Sequence, residues 1–141
     1  MNKKVPNQFT DRKSEKHVRI KAFIPTNKPT WRFSTVDKSG QFKWPKGDAS
    51  ELEIVQKLHE FDSMTWEEIQ GKQHHFLSVD SLSKAAKDRL EEIQLDDDIE
   101  QLFSFHLQGK PRIIAIRHAN VANLLWYDPD HEVAPSKKKH T

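Results

Sequence analysis

The sequence predicts an α+β fold in two layers: an antiparallel sheet that includes a C-terminal three-stranded meander, with two or three helices packed on one face. Three observations predict it. Between Leu102 and Val133, three runs rich in β-branched, aromatic and aliphatic residues are separated only by Gln108-Gly109-Lys110-Pro111 and His118-Ala119-Asn120, which is hairpin spacing. Upstream, stretches within 48–71 and 80–95 carry apolar positions at helical spacing. The helical patterns are also segregated from the strands of the meander, the order expected of α+β rather than α/β.

Residues 1–16 show no apolar periodicity and contain Lys3, Lys4, Arg12, Lys13 and Lys16, so they are expected to form a disordered basic arm. A single domain is expected over 17–133. Val18, Ile20, Ala22 and Ile24 alternate with other residues as in a strand, which Pro25 to Pro29 would end. Thr30 to Val36 alternates again, with Trp31, Phe33 and Thr35 on one face. Asp37 to Gly40 reads as a turn, and Gln41 to Trp44 as a short returning strand, together an N-terminal hairpin.

Asp48, Ala49 or Ser50 can cap a helix that runs through Leu52, Ile54, Val55 and Leu58 to about Phe61. Thr65 followed three residues later by Glu68 is a capping box that opens a second, short helix, which Gly71 would end. Gln73 to Val79 reads as a strand with His75, Leu77 and Val79 on one face. Asp80 or Ser81 can cap a third helix with a stripe of Leu82, Ala85 or Ala86, Leu90 and Ile93. The meander follows and stops at Asp128-Pro129-Asp130-His131, where proline removes a ladder donor. Residues 134–141 are expected to be a disordered basic tail.

Composition narrows the chemistry. The absence of cysteine removes disulfides and thiolate metal sites. No apolar run approaches the roughly 20 residues that span a bilayer, and the basic N-terminus lacks the apolar stretch of a signal peptide. A soluble, cytoplasmic protein without a membrane role is expected. The net charge of +2 is unevenly spread. Residues 1–46 carry twelve Lys/Arg against three Asp/Glu, residues 47–104 five against fifteen, and residues 105–141 six against three. Such asymmetry suits a polyanion, or pairing of the basic ends with the acidic middle.

The clearest constellation lies in and around the meander: Arg112, Arg117, His118, Tyr127, Asp128, Asp130 and His131. Strand alternation sends Arg112 the way of Ile114 and Ile116, and Arg117 the way of Ile113 and Ala115. An antiparallel pairing brings Arg112 near Tyr127, so Arg112, Tyr127 and His131 can share one end of the sheet. A planar guanidinium and an imidazole converging there suit phosphodiester binding and proton transfer. The plainer account is a surface ion pair at Arg112, a packed Tyr127, and an Asp-Pro turn in which Asp128 bonds to a following backbone N–H. His74 and His75 are a second candidate, but neighbours in a strand face opposite sides, and His75 is equally a hydrogen-bonded core residue. No His-x-His, Glu-x-x-His or His-Glu-x-x-His spacing demands a metal, and no glycine-rich phosphate loop calls for a nucleotide cofactor. Neither a metal nor a cofactor is expected. Lys110, Arg117, Arg32, Lys43 and Trp44 are candidate nucleic-acid contacts, because basic and aromatic residues interleave around Trp31, Phe33, Phe42 and Trp44. Core packing accounts for Trp31 and Phe33, which leaves Trp44 as the aromatic expected outside.

Phe33-Ser34, Ser63-Met64-Thr65-Trp66-Glu67-Glu68-Ile69, His74-His75 and Leu125-Trp126-Tyr127-Asp128-Pro129-Asp130-His131-Glu132-Val133 together resemble a group of small, mostly uncharacterised bacterial proteins. That resemblance spans about 31–133, and its Trp-x-Asp-Pro-x-His ending is the most specific part. More distantly, the order Arg112, turn, strand, His131 is similar to the C-terminal half of RelE/YoeB-type toxins. The likeness implies ribosome-dependent mRNA cleavage, with Arg112 as the strand arginine and His131 as the C-terminal histidine. The chain departs from that pattern in its long N-terminal region and in lacking a lysine-rich first helix. The first expectation is therefore an RNA- or ribosome-binding protein: a metal-independent, RelE-like endoribonuclease toxin or an inactive relative. Arg112 and Arg117 would hold phosphate, and His131 would move the proton with Tyr127 or His118. The likeness to a toxin–antitoxin system implies an antitoxin-like protein partner. The alternatives are a non-enzymatic protein-interaction module and a metal-dependent hydrolase using His74 or His75, Asp128 and His131.

Overall fold

Among the described residues, five strands form one mixed sheet, with the first in sequence at one edge and then the fifth, fourth, third and second. In the computed structural model the described residues are 27–71, 73–95, 99 and 101–135. The expected basic arm, the strand expected at 18–24 and the tail beyond Pro135 lie outside them. The strands are β1 (Thr30–Arg32), β2 (His75–Leu77), β3 (Leu102–His106), β4 (Arg112–His118) and β5 (Val121–Asp128). The helices are α1 (Ala49–Asp62), α2 (Trp66–Ile69) and α3 (Lys84–Glu92). The fold is α+β, and β3, β4 and β5 are the antiparallel meander.

Alternation along the meander sorts its side chains onto two faces. Phe103, Phe105, Ile113, Ala115, Ala122 and Leu124 pack with Ile54, Leu58 and Phe61 of α1 and with Trp66 and Ile69 of α2. This two-layer body holds an aromatic cluster in which Phe105 lies 5.2 Å from Phe61 and 4.8 Å from Phe103. Leu102, Ile114, Leu125 and Trp126 point the other way, toward Ala86 and Leu90 of α3. Two helices thus share one face, and α3 covers part of the opposite one. The uncovered part of that second face, toward the Arg112 end, is where the candidate site lies.

A bulge sets the parity of β5. Ile114 pairs with Trp126 and Ala115 with Leu124, so Leu125 is the extra residue. It lets Leu125 and Trp126 share a face and turns Tyr127 toward the α1 side.

Capping chemistry fixes the helices. Asp48 caps α1 by accepting the Glu51 N–H at 3.1 Å. Thr65 and Glu68 form the expected reciprocal box at α2, at 3.1 and 2.8 Å. Ser83, rather than Asp80 or Ser81, caps α3, because a 3₁₀ turn over Val79–Ser81 delays the helix. Leu52 lies off the buried stripe of α1 and is 61% exposed.

The expected N-terminal hairpin does not form. β1 is only three residues long and pairs in parallel with β5, Thr30 opposite Val121. Phe42 instead follows the end of β5, its carbonyl accepting the Tyr127 N–H at 3.0 Å. The intervening segment is tied down by Asp37, whose buried carboxylate takes two bonds from Arg89 (2.8 and 2.7 Å) and one from Trp126 Nε1 (2.9 Å). Burial alone would raise the Asp37 pKa, but the hydrogen bonds from Arg89 and Trp126 outweigh it and hold the carboxyl below its ordinary value.

Candidate functional site

Register builds the site from the sheet. The Gln108 to Pro111 turn is closed by the Leu107 N–H donating to the Pro111 carbonyl at 3.0 Å. That closure pairs His106 with Arg112, and β4–β5 pairing sets Arg112 opposite Asp128. His106, Arg112 and Asp128 therefore form one cross-strand row on the face that α3 leaves open. One row inward stand Ser104, Ile114 and Trp126, with His75 opposite Ser104. His131 returns from the loop after β5. The result is a cavity of about 300 Å³ walled by His75, His106, His131, Arg112, Ser104 and Asp128, with Gln73, Leu77, Ile114 and Ala134 completing it.

Asp128 positions the loop. Its buried carboxylate accepts the N–H groups of Glu132 and Val133, both at 2.8 Å. This is the turn bonding the sequence allows, and it bends the chain so that His131 adopts φ +58°, a left-handed conformation uncommon for a residue with a Cβ. Val133 is fully buried beneath it.

Arg112 holds the other wall. Its Nη1 donates to the carbonyls of Gly109 (3.1 Å), Lys110 and Pro111 (3.2 Å). Among the described residues, all its hydrogen bonds run from Nη1, so Nε and Nη2 remain as donors on the guanidinium fork. Burial lowers the Arg112 pKa and Asp128 opposes the change; a guanidinium stays a cation regardless. That cation, after burial, is the next cause holding His131 and His106 below the ordinary histidine pKa. Both rings are thus neutral near pH 7, the form that accepts a proton. The Nδ1 of His75 lies 3.0 Å from the Phe76 carbonyl, which places the proton on Nδ1 and leaves Nε2 for the cavity.

The remaining sequence candidates lie elsewhere. Tyr127 stands at the same end of the sheet, opposite Ile113, but packs on the α1 side because of the Leu125 bulge. His118 is exposed at the far end of β4. Arg117 is on the α1 side, stacked 4.0 Å over Trp66 and donating to the Ala119 carbonyl at 2.8 Å. Lys110 sits in the turn whose carbonyl Arg112 binds. Arg32 is exposed on edge strand β1, and Lys43 and Trp44 line a separate groove. Trp44 is 9% exposed and Phe33 46%, the reverse of the expected assignment.

The two adjacent histidines part, but the one that packs against the core is His74, half-buried just ahead of β2. Its Nδ1 accepts the His106 N–H at 2.9 Å, extending the β2–β3 ladder with a side chain, and its ring lies 4.9 Å from Phe61. Burial, then the Lys57 charge, lowers its pKa to about 4. His74 is thus directed away from Asp128 and His131. Among the described residues, no three His, Asp or Glu side chains are grouped to hold a metal ion.

His106 and Ser104 are the residues that sequence reasoning missed. The signal was the tight turn itself, which fixes His106 opposite Arg112 once the hairpin closes. Among the described residues no helix is long and apolar enough to cross a membrane. Compared with protein-family models, curated proteins and solved structures, the chain matches none.

Proposed function

We propose that the chain is a cytoplasmic RNA-binding protein whose histidine-lined cavity cleaves a phosphodiester without a metal, in the manner of a RelE-like endoribonuclease. One observation carries the reading: Arg112 and His131 wall the same cavity, with His106 and His75 beside them. Arg112 supplies a fixed cation and a donor fork for the non-bridging oxygens of a phosphate. Neutral His131 takes the proton of a ribose 2′-hydroxyl, and the 2′-oxygen attacks phosphorus. The bond to the 5′-oxygen breaks, and that oxygen takes its proton from a second histidine of the cavity, His106 or His75, in the fraction of molecules in which that ring carries one. The products are a 2′,3′-cyclic phosphate and a 5′-hydroxyl. His106 and His75 occupy the partner role that the sequence assigned to Tyr127 or His118.

The test is incubation of end-labelled single-stranded RNA with the protein in EDTA, with and without ribosomes. Cyclic-phosphate ends are expected, and Arg112→Gln and His131→Gln should each slow their appearance by about 100-fold or more. No cleavage in either condition, or cleavage indifferent to both substitutions, defeats the reading.

A further inference from the structure

A second surface lies beside β5, on the segment that follows β1. Phe33 is the large aromatic side chain that the described fold leaves outside, 46% exposed, although it directly follows strand β1. Its ring meets Trp44 edge-on, with centroids 6.2 Å apart and planes at 86°. Trp44 is itself buried, so one aromatic is fixed by the core and presents the other. Around them opens a groove of about 630 Å³ rimmed by Lys38, Lys43 and Lys46.

The charges there are not balanced. Asp48 and Glu51 also line the groove, but their carboxylates accept the backbone N–H groups of Glu51 (3.1 Å) and Gly47 (2.7 Å). The described salt bridges include none of the three lysines. The groove therefore offers an exposed aromatic ring in a lining of three cations against two anions, a net charge of +1.

It is also rigidly built. Thr35 Oγ1 donates to the Leu124 carbonyl at 2.7 Å, the Asp37 N–H to the Leu125 carbonyl at 2.8 Å, and the Trp44 N–H to the Asp37 carbonyl at 2.8 Å. Arg89 and Trp126 fasten the Asp37 side chain from the opposite face. A loop fixed this firmly loses little freedom when a ligand arrives.

We infer that the Phe33 groove is a stacking subsite for an unpaired nucleobase of single-stranded RNA, with Lys38, Lys43 and Lys46 neutralising the flanking phosphates. An exposed apolar ring in a groove that three lysines also line matches a nucleotide, which has a π-face and an anion a few bonds apart. The same loop reaches the catalytic end of the sheet: Phe42 bonds to Tyr127, and Gln41 Nε2 donates to Glu132 Oε1 at 3.3 Å, one residue from His131. The inference rests on the RNA reading of the cavity and names where the rest of the strand is held.

The experiment measures anisotropy of a fluorescently labelled 12-nucleotide single-stranded RNA across a salt series, with sedimentation of the same proteins. Phe33→Ala should weaken binding about tenfold or more, and Phe33→Tyr should restore it. Lys43→Ala should flatten the salt dependence by about one phosphate contact. Phe33 is exposed, so a thermal melt of Phe33→Ala should match that of the parent chain. RNA affinity unchanged in Phe33→Ala while Arg112→Gln abolishes cleavage overturns the subsite and leaves the cavity reading intact. Affinity lost in Phe33→Ala while cleavage ignores Arg112→Gln supports the subsite and defeats the cavity reading. A parent chain that self-associates through Phe33, with RNA binding indifferent to that residue, makes the groove an interface between copies and overturns the inference.

Discussion

Arg112 stands directly opposite Asp128 in the β4–β5 ladder, yet the carboxylate spends both oxygens on the backbone N–H groups of Glu132 and Val133. The arginine in turn binds the carbonyls of its own hairpin turn through Nη1. Each member of the pair shapes one wall of the cavity, and between them the guanidinium keeps donors for a ligand.

Replacing Arg112 with glutamine should raise the pKa of His131 and His106. Burial and the neighbouring cation both favour the neutral rings, so removing the cation eases protonation and moves each value back toward that of free histidine. Ring-proton NMR titrations of the parent chain and the variant would measure it. Unmoved values would mean that Arg112 does not act on these rings.

His131→Gly should leave the fold as stable or stabilise it by about 1 kcal/mol while removing activity. At φ +58° a side chain is disfavoured and glycine is not. Urea unfolding beside the RNA assay gives both quantities. A large loss of stability would instead make His131 a packing residue.

Asp128→Ala should cost about 2–4 kcal/mol, because two N–H groups, one on fully buried Val133, lose a charged acceptor. Cleavage should fall in the folded fraction as well, since His131 would no longer be held over the cavity. Denaturant titration and a rate measured per folded molecule separate the two effects.

His74 should make the chain acid-sensitive. Its folded pKa of about 4 lies below the ordinary 6.5, so below pH 6.5 the unfolded chain binds a proton that the native chain refuses. Stability then falls as pH drops from about 6.5 to 4, by at most roughly 3 kcal/mol, and levels off below. Protonation also removes the acceptor for the His106 N–H. In His74→Gln, stability at pH 7 should be lower and its decline toward pH 4 shallower. Unfolding curves at pH 7, 5.5 and 4.5 test this, and parallel declines would contradict it.

How far the sequence reaches depends on the range of the interaction. The meander is recoverable because its turns are short and its strands pair with their neighbours. The Thr65–Glu68 box is local, and the faces of Arg112 and Arg117 follow from simple alternation. Beyond that, longer-range geometry decides. β1 pairs in parallel with β5 across about ninety residues, which no local pattern encodes. The extra residue at Leu125 reverses parity, so counting from Ala122 misplaces Tyr127. Phe33 and Trp44 exchange their expected exposures because 41–44 follows β5 instead of pairing with 30–36. His106 enters the site through hairpin register, and a lone histidine at a strand end carries no such mark by itself.

The central claim is that the row of His106, Arg112 and the returning His131 binds an RNA phosphate. Its most direct test is an NMR titration of the histidine ring protons with a short 2′-O-methyl RNA, which cannot be cleaved by attack of its own 2′-oxygen. The His131 and His106 signals should shift and saturate together while exposed His118, at the other end of β4, stays in place. Movement of His118 alone, of every histidine alike, or of none would contradict it.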